Sequence, residues 1–244
     1  MRNGSGTWAV AWGVAALLGS SAEAGTVSLA PSADTRVLSV APSLNEGSAT
    51  LLSVFDADGN TQRSLLLFDL SSIPSGQVII SATLVLSASI AHGSNPSGRP
   101  MDLYRVGSSW VEAEATWSDR STGSPWTVPG IAGDAFGTTG VPGVSPYATS
   151  TANPSASGQT VTWDSTQMVQ EWYSGSHANF GMLLLSSSVN RLTFDSREGS
   201  ISPVLRVTFE APVPAASWLG FGLFAGVGGI AWVKRRRTTP QTSS

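Results

Sequence analysis

The chain has 244 residues, 13 basic and 16 acidic side chains, a net charge of −3 at pH 7, and no cysteine, so disulfides and thiolate metal sites are excluded. The charge is unevenly placed: residues 25–211 hold eight arginines, no lysine and fifteen acids, a net −7, while the single lysine, Lys234, stands near the C-terminus. A body of that charge has no generic attraction for nucleic acid or anionic lipid. Its wealth of Ser, Thr, Gly and Val, with no Lys and little Glu, is an all-β composition.

At the N-terminus, Arg2 precedes an apolar stretch over residues 8–18 and an A-x-A site, Ala22-Glu23-Ala24. The stretch is too short to span a bilayer comfortably, and the pattern predicts a signal peptide over residues 1–24, cut between Ala24 and Gly25. The chain is expected to be exported. The mature body, 25–211, has the length of one domain with a sizeable core, which must hold it together without bridges.

Along that body, residues 50–55 and 63–70 read as strands joined by Asp56-Ala57-Asp58-Gly59-Asn60, a hairpin with a Gly-containing turn. Residues 78–88 form a long β-rich run. Residues 101–106 alternate, which places Leu103 on one face and Tyr104 on the other. The stretch 121–157 is rich in Gly, Pro, Ser and Thr, holds one charge (Asp134), and offers no convincing strand beyond a short one near Val141; it is expected to be a mobile loop. Residues 160–163 resume the strands. In residues 164–173, Met168, Val169 and Trp172 fall at helical spacing, Asp164 stands where a cap would, Gln167 follows three residues later, and Gly175 is a stop signal. A short helix closing one end is expected there. Strands over 181–186, 192–194 and 203–209 complete a predicted jelly-roll-like β-sandwich with one short helix.

The C-terminal region predicts a transmembrane helix. Residues 215–233 carry no charge, and nineteen residues at about 1.5 Å each span roughly 28 Å, close to the hydrocarbon thickness of a bilayer. Lys234-Arg235-Arg236-Arg237 follows at once and would hold that end in the cytoplasm, ahead of a short polar tail, 238–244. Val213-Pro214 before the run, the apolar span and the basic cluster together resemble the PEP-CTERM class of bacterial sorting tails, in its Val-Pro-rich form without the usual Glu. The resemblance implies that residues 212–237 are read by a sorting transpeptidase or protease; an ordinary single-span anchor is the alternative. The implied route is an inner-membrane precursor released to the cell surface or extracellular matrix.

The body carries a second resemblance. Arg63-Ser64-Leu65-Leu66-Leu67-Phe68-Asp69-Leu70-Ser71-Ser72-Ile73-Pro74, then Ile80-Ser81-Ala82-Thr83-Leu84, Asp102-Leu103-Tyr104-Arg105-Val106, Ser109-Trp110 and Glu114-Ala115-Thr116-Trp117 follow in order. Val169-Gln170-Glu171-Trp172, Asn179-Phe180-Gly181-Met182-Leu183-Leu184, Ser196-Arg197-Glu198 and Pro203-Val204-Leu205-Arg206-Val207-Thr208 complete the series. In this order they resemble the DNRLRE domain, which is grouped with carbohydrate-binding module family 96 and is similar to a disaggregatase-associated domain. The literal string is absent; Asp195-Ser196-Arg197-Glu198 keeps its Arg-Glu end. The resemblance covers residues 30–210 and implies a surface-exported β-sandwich associated with polysaccharide, often beside polysaccharide-degrading domains.

For catalysis the residues offer little. His92 and His177 are the only histidines, no Gly-x-Ser-x-Gly elbow or phosphate loop appears, and Glu112 and Glu114 are the obvious carboxylate pair, with no special role in their spacing. The chain is expected not to be an enzyme. Asp56, Asp58 and Asn60 match part of a calcium-loop pattern, but the distal Glu is replaced by Leu67, and a hairpin tip needs no metal for its Asp and Gly. No cofactor is required, and Ca²⁺ could bind there only with outside ligands. Sugar rings stack on Trp or Tyr while Arg and carboxylates bond their hydroxyls. Of five body tryptophans, Trp110, Trp117 and Trp172 lie in the resemblance blocks and are expected in the core; Trp126, with Tyr147, lies in the polar loop and is expected as an exposed platform. Arg63, Arg197 and Glu198 either lock the sheets through Arg–carboxylate pairing or read acidic sugars. A polysaccharide or exopolysaccharide is the expected partner; a structural matrix protein binding no free sugar, or a part of a polysaccharide-degrading system, is the alternative.

Overall fold

The computed structural model describes residues 24–57, 59–90 and 99–210. The expected signal peptide up to Glu23, Asp58, His92, the sorting residues Val213, Pro214, Lys234, Arg235, Arg236 and Arg237, and the apolar run 215–233 lie outside them. Among the described residues no helix is long and apolar enough to cross a membrane.

In chain order the strands are β1 (Ala24–Leu29), β2 (Pro31–Leu38), β3 (Leu51–Ala57), β4 (Asn60–Phe68), β5 (Val78–Ser87), β6 (Pro100–Val106), β7 (Asp119–Ser121), β8 (Ser124–Pro125), β9 (Ala135–Phe136), β10 (Ala148–Thr151), β11 (Thr160–Asp164), β12 (Met182–Leu185), β13 (Leu192–Asp195) and β14 (Val204–Glu210). The smaller sheet has the order β1-β14-β5-β11. The larger runs β10-β6-β12-β4-β3-β13, with β2 joining at β4 and β9 at β6; β7 and β8 form a separate ribbon. Every pairing is antiparallel.

The two sheets meet as a sandwich. Leu84, Leu86, Val161, Trp163, Leu205 and Val207 of the smaller sheet pack on Leu66, Phe68, Met101, Leu103, Met182 and Phe194 of the larger. Trp163 is 1% exposed, donates Nε1–H to the Met101 carbonyl at 3.0 Å, and sets its ring edge-on to Phe194, centroids 6.1 Å apart. The expected hairpin forms between β3 and β4, with Gly59 at φ +78 in its turn. Gly181, which enters β12, has φ +92 and leaves no room for a side chain: a Cβ there would lie 2.4 Å from the Leu66 carbonyl oxygen.

The expected short helix is α1 (Thr166–Tyr173), which buries Met168, Val169 and Trp172. Asp164 acts one position earlier than an N-cap would: Ser165 is the cap residue, and the Asp164 carboxylate accepts the Thr166 N–H at 2.9 Å. Gly175 follows at φ +75, in the left-handed conformation that ends helices.

One expectation needs correction. Part of residues 121–157, expected as a mobile loop, is packed structure: Trp126, Gly130, Ile131, Asp134, Ala135 and Gly137 are buried, and Ala148–Thr151 forms β10, while residues 138–145 are exposed. Leu103 faces the sandwich core while Tyr104 faces a second cluster with Val37, Leu65, Val106, Trp110, Ala115, Trp126, Ile131, Ala135 and Leu183. The larger sheet is therefore covered on both faces, which explains the unbroken apolar runs of β4 and β12. The lone charge of the segment organises it. Asp134 is 3% exposed and accepts from the Ser108 hydroxyl at 2.5 Å, the Thr127 N–H at 2.9 Å and the Thr127 hydroxyl at 3.2 Å. A buried carboxylate holding three donors fixes the backbone around it.

Candidate functional site

Four segments far apart in sequence converge beside β2. Asp34 lies on that strand opposite Leu66 and is 1% exposed. Its N–H donates to Glu112 Oε1 at 2.7 Å, and its Oδ2 accepts the backbone N–H of Arg197 at 2.8 Å. The Arg197 guanidinium then gathers the site: it reaches Glu112 Oε2 at 2.9 Å, Glu198 Oε1 at 2.6 Å and the Ser32 carbonyl at 2.8 Å. Asn45 Nδ2 donates to the carbonyls of Glu112 (2.7 Å) and Ala115 (2.8 Å). Gly47 lies so close that a Cβ would come within 2.3 Å of the Glu112 carbonyl oxygen. Nearby, Arg36 pairs with Glu46 at 2.9 Å.

Local turns aim these groups. After Trp110 the chain turns through the Ala115 N–H to the Val111 carbonyl (2.7 Å), which brings Glu112 back toward β2. After β13 the Gly199 N–H closes on the Ser196 carbonyl at 3.0 Å, while the Ser196 hydroxyl donates to the Ala49 carbonyl at 2.7 Å. Arg197 and Glu198 are thereby presented to β2.

Three carboxylates against one guanidinium leave an excess of negative charge. Burial pushes the Asp34 carboxyl up to about 7; the charges of Glu198 and Glu112 add to this, while the Arg197 N–H acts against it. The hydrogen bond from Arg197 to Glu198 holds the guanidinium above its ordinary range. Asp34, Glu112 and Glu198 each place an oxygen within 4.8 Å of the others, a hard-oxygen donor set of the kind Ca²⁺ takes. The Arg197 guanidinium pairs with two of the three, Glu112 and Glu198, and reaches Asp34 only through its backbone N–H.

The sequence-predicted residues scatter. Arg197 and Glu198 belong to this cluster. Arg63 is remote from it: its guanidinium lies over the Trp117 ring, 5.2 Å from the centroid, and donates to the Gly130 carbonyl. Burial lowers the Arg63 pKa. Trp126 corrects the expectation of an exposed platform: it is 3% exposed, with Nε1–H on the Thr116 carbonyl at 3.0 Å, because the polar loop folds over it as a lid on the second core. Tyr147 is half-buried and its hydroxyl donates to Glu171 Oε2; burial first, then Glu171, pushes its pKa up to about 12. Trp110 and Trp172 are buried as expected, while Trp117 is half-buried.

At the hairpin tip, Asp56 Oδ1 accepts from the Thr61 hydroxyl at 2.8 Å and Asn60 Oδ1 from Gln62 at 3.3 Å, so both already serve the turn. Ala24 and Gly25, flanking the expected cleavage point, lie in β1 opposite Glu210 and Phe209. Asp34 and Asn45 escaped the sequence reading, and Glu112 was weighed only as a catalytic carboxylate. A signal existed in Asp34-Thr35-Arg36, charged residues inside what proves to be a strand.

No curated protein matches the chain. The family profile described as the disaggregatase related repeat domain matches residues 34–203, which begin at Asp34 and enclose Asn45, Glu112, Arg197 and Glu198. The chain belongs to the disaggregatase related repeat domain family.

Proposed function

We propose that this chain is an exported, non-catalytic protein of the cell surface or extracellular matrix, whose sandwich associates with polysaccharide and whose C-terminal run anchors a precursor until a sorting enzyme processes it. The observation that carries the reading is the family match over residues 34–203, together with the resemblance of the same region to a carbohydrate-binding module. The convergent carboxylates support a non-catalytic role. Asp34 is buried and occupied by a backbone N–H, and Glu112 and Glu198 are held by Arg197, so these groups fasten segments together instead of facing a substrate. The contacts left for sugar are the half-buried Tyr147 ring and the Arg63–Trp117 pair. Co-sedimentation with the exopolysaccharide of the producing cell should deplete the wild-type domain from solution and deplete Tyr147→Ala less; a soluble wild-type domain at every polysaccharide load would refute the reading.

The burial of Trp126 favours a second reading, a structural matrix protein that uses this domain for protein contacts, since one of the two expected aromatic platforms is gone. The domain needs no cofactor in either reading: a chelator is expected to leave its melting temperature unchanged.

Export is tested at both ends. The secreted protein should begin at Gly25, and an intact Met1 in the mature form would remove the signal-peptide reading. Tags placed before Pro212 and after Arg237 should part on processing, whereas both tags on the mature protein would leave a permanent anchor.

A further inference from the structure

We propose that the outer face of the smaller sheet is a self-complementary surface on which a second copy of this chain docks, about a two-fold axis that runs along β5. The larger sheet has its outer side covered by the second core, whereas among the described residues no element covers the outer side of the smaller one. On β11, Val161 and Trp163 point into the sandwich and Thr160, Thr162 and Asp164 point out of it, all three exposed. The strand registers say which residues of this bare face stand side by side.

The first observation is the charge pattern. Arg206 on β14 and Asp164 on β11 both stand opposite Thr83 on β5, one strand spacing to either side of it. Arg206 is exposed and belongs to none of the ion pairs among the described residues. Asp164 Oδ1 accepts the Thr166 N–H at 2.9 Å and the Thr166 hydroxyl at 2.6 Å, while its other oxygen takes no hydrogen bond among the described residues. When two such faces meet about an axis along β5, Arg206 of each copy stands over Asp164 of the other, twice by symmetry. Face-to-face sheets lie about 10 Å apart, a gap that an Arg and an Asp side chain bridge together. An axis across the strands would instead set Arg206 against its own copy, so the charges select the axis along β5.

The second observation is independent of the charges. The same axis brings each outward residue of β5 against its own copy, and those residues carry the apolar surface of the face. Val78 is 50% exposed and Ile80 47%; Val85, toward the other end of the strand, is half-buried. The β14–β5 register shifts between Thr208 and Phe209, which leaves Ile80 without a partner on β14 and leaves both Ile80 and Ser81 exposed. Glu210 stands opposite Val78, one strand off the axis, and its copy falls on the other side. The two carboxylates are thereby held roughly 10 Å apart along the sheet, and they border the apolar contact without entering it.

Size sets the strength of the pair. Three strands side by side span ~14 Å and the ten residues of β5 ~34 Å, so two copies together hide on the order of 1,000 Å². That is the lower bound for a specific interface, and the pair is therefore weak and concentration-dependent. Arg63 and Trp117 lie on the far side of the domain, beyond the larger sheet. Pairing through the smaller sheet leaves them free on both copies, facing opposite ways.

The absence of native cysteine makes the test clean. In the full chain, expressed in the producing cell, Thr83→Cys lies on the axis, and a short bis-maleimide should join it to its copy. Val189→Cys, 66% exposed and outside the smaller sheet, reports chance collision and should be joined several-fold less. Adding Arg206→Asp to Thr83→Cys should cut the yield several-fold, because like charges then face each other. Adding Asp164→Arg should do the same, and the two variants, co-expressed under different tags, should join to one another and not to themselves. Asp164 also holds Thr166 at the start of α1, so where Asp164→Arg loosens the helix, Arg206→Asp alone decides. Equal yields at Thr83→Cys and Val189→Cys, or a yield indifferent to Arg206→Asp, would overturn the proposal. Protection of the Thr83→Cys thiol by exopolysaccharide, with no joined pair, would overturn it in favour of a glycan on this face.

Discussion

Trp163→Ala should destabilise the domain by about 3–5 kcal/mol, the range for deleting a large buried aromatic side chain. The site gives no room for recovery. Trp163 is 1% exposed, lies between the two sheets, and is flanked by Phe194 and Met101. Truncation removes the ring from the middle of the core and also strips the Met101 carbonyl of its 3.0 Å donor. An orphaned buried acceptor adds its own desolvation cost. For a domain of this size the loss corresponds to a fall of roughly 6–20 °C in melting temperature. Thermal melts of the wild-type and Trp163→Ala domains check it; coincident curves would show that the sheets do not pack through this residue.

The second large effect is a pH dependence centred on Asp34. Its carboxyl is raised from 3.8 to about 7, chiefly by burial, so the folded protein holds this proton more tightly than the unfolded chain does. The resulting stability is fully present below about pH 4 and is lost as pH rises through about 7, a contribution on the order of 4 kcal/mol. Asp34→Asn keeps an oxygen that can accept the Arg197 N–H and cannot ionise. The variant should therefore gain on wild type as the pH is raised from acid to mildly alkaline. Urea unfolding across that range reads the difference directly. A wild-type-to-variant gap that stays constant with pH would mean that Asp34 titrates normally and that the cluster is more open than its burial indicates.

Most of the sandwich could be read from residue pattern because period-two alternation and turn residues are local signals. Leu103 and Tyr104 fall on opposite faces as their positions imply, and the Asp56–Asn60 turn joins two strands as its Gly requires. β1 and β2 escaped because Ala24–Leu29 is short and made mostly of small residues, Pro31–Leu38 carries Asp34 and Arg36 within it, and both are strands through pairing with β14 and β4. The segment 121–157 misled for a similar reason. Its composition describes a solvated loop, yet Trp126, Ile131 and Ala135 are withdrawn beneath it and Asp134 ties it to Ser108, outside the segment. Such long-range satisfaction of one carboxylate leaves no local periodicity. The candidate site repeats the lesson. Arg197 and Glu198 are a pair in sequence, but what makes them a site is contact with Asp34, from near the start of the domain, and Glu112, from its middle.

Two roles were open for the Arg–Glu pair, locking and sugar reading. The geometry favours locking. Arg197 spends its donors on Glu112, Glu198 and the Ser32 carbonyl, all within the protein. On the proposed reading, sugar contact falls to Tyr147 and the Arg63–Trp117 pair, both only half-buried.

Polysaccharide association is the claim on which the account turns, and an array of purified glycans probed with residues 25–211 tests it most directly. The account predicts saturable binding to at least one polysaccharide, with Tyr147→Ala and Trp117→Ala reducing the signal while their far-ultraviolet circular dichroism stays that of the wild type. A folded domain that binds nothing across the array, yet still assembles into the matrix of the producing cell, would contradict the account and leave a structural protein in its place.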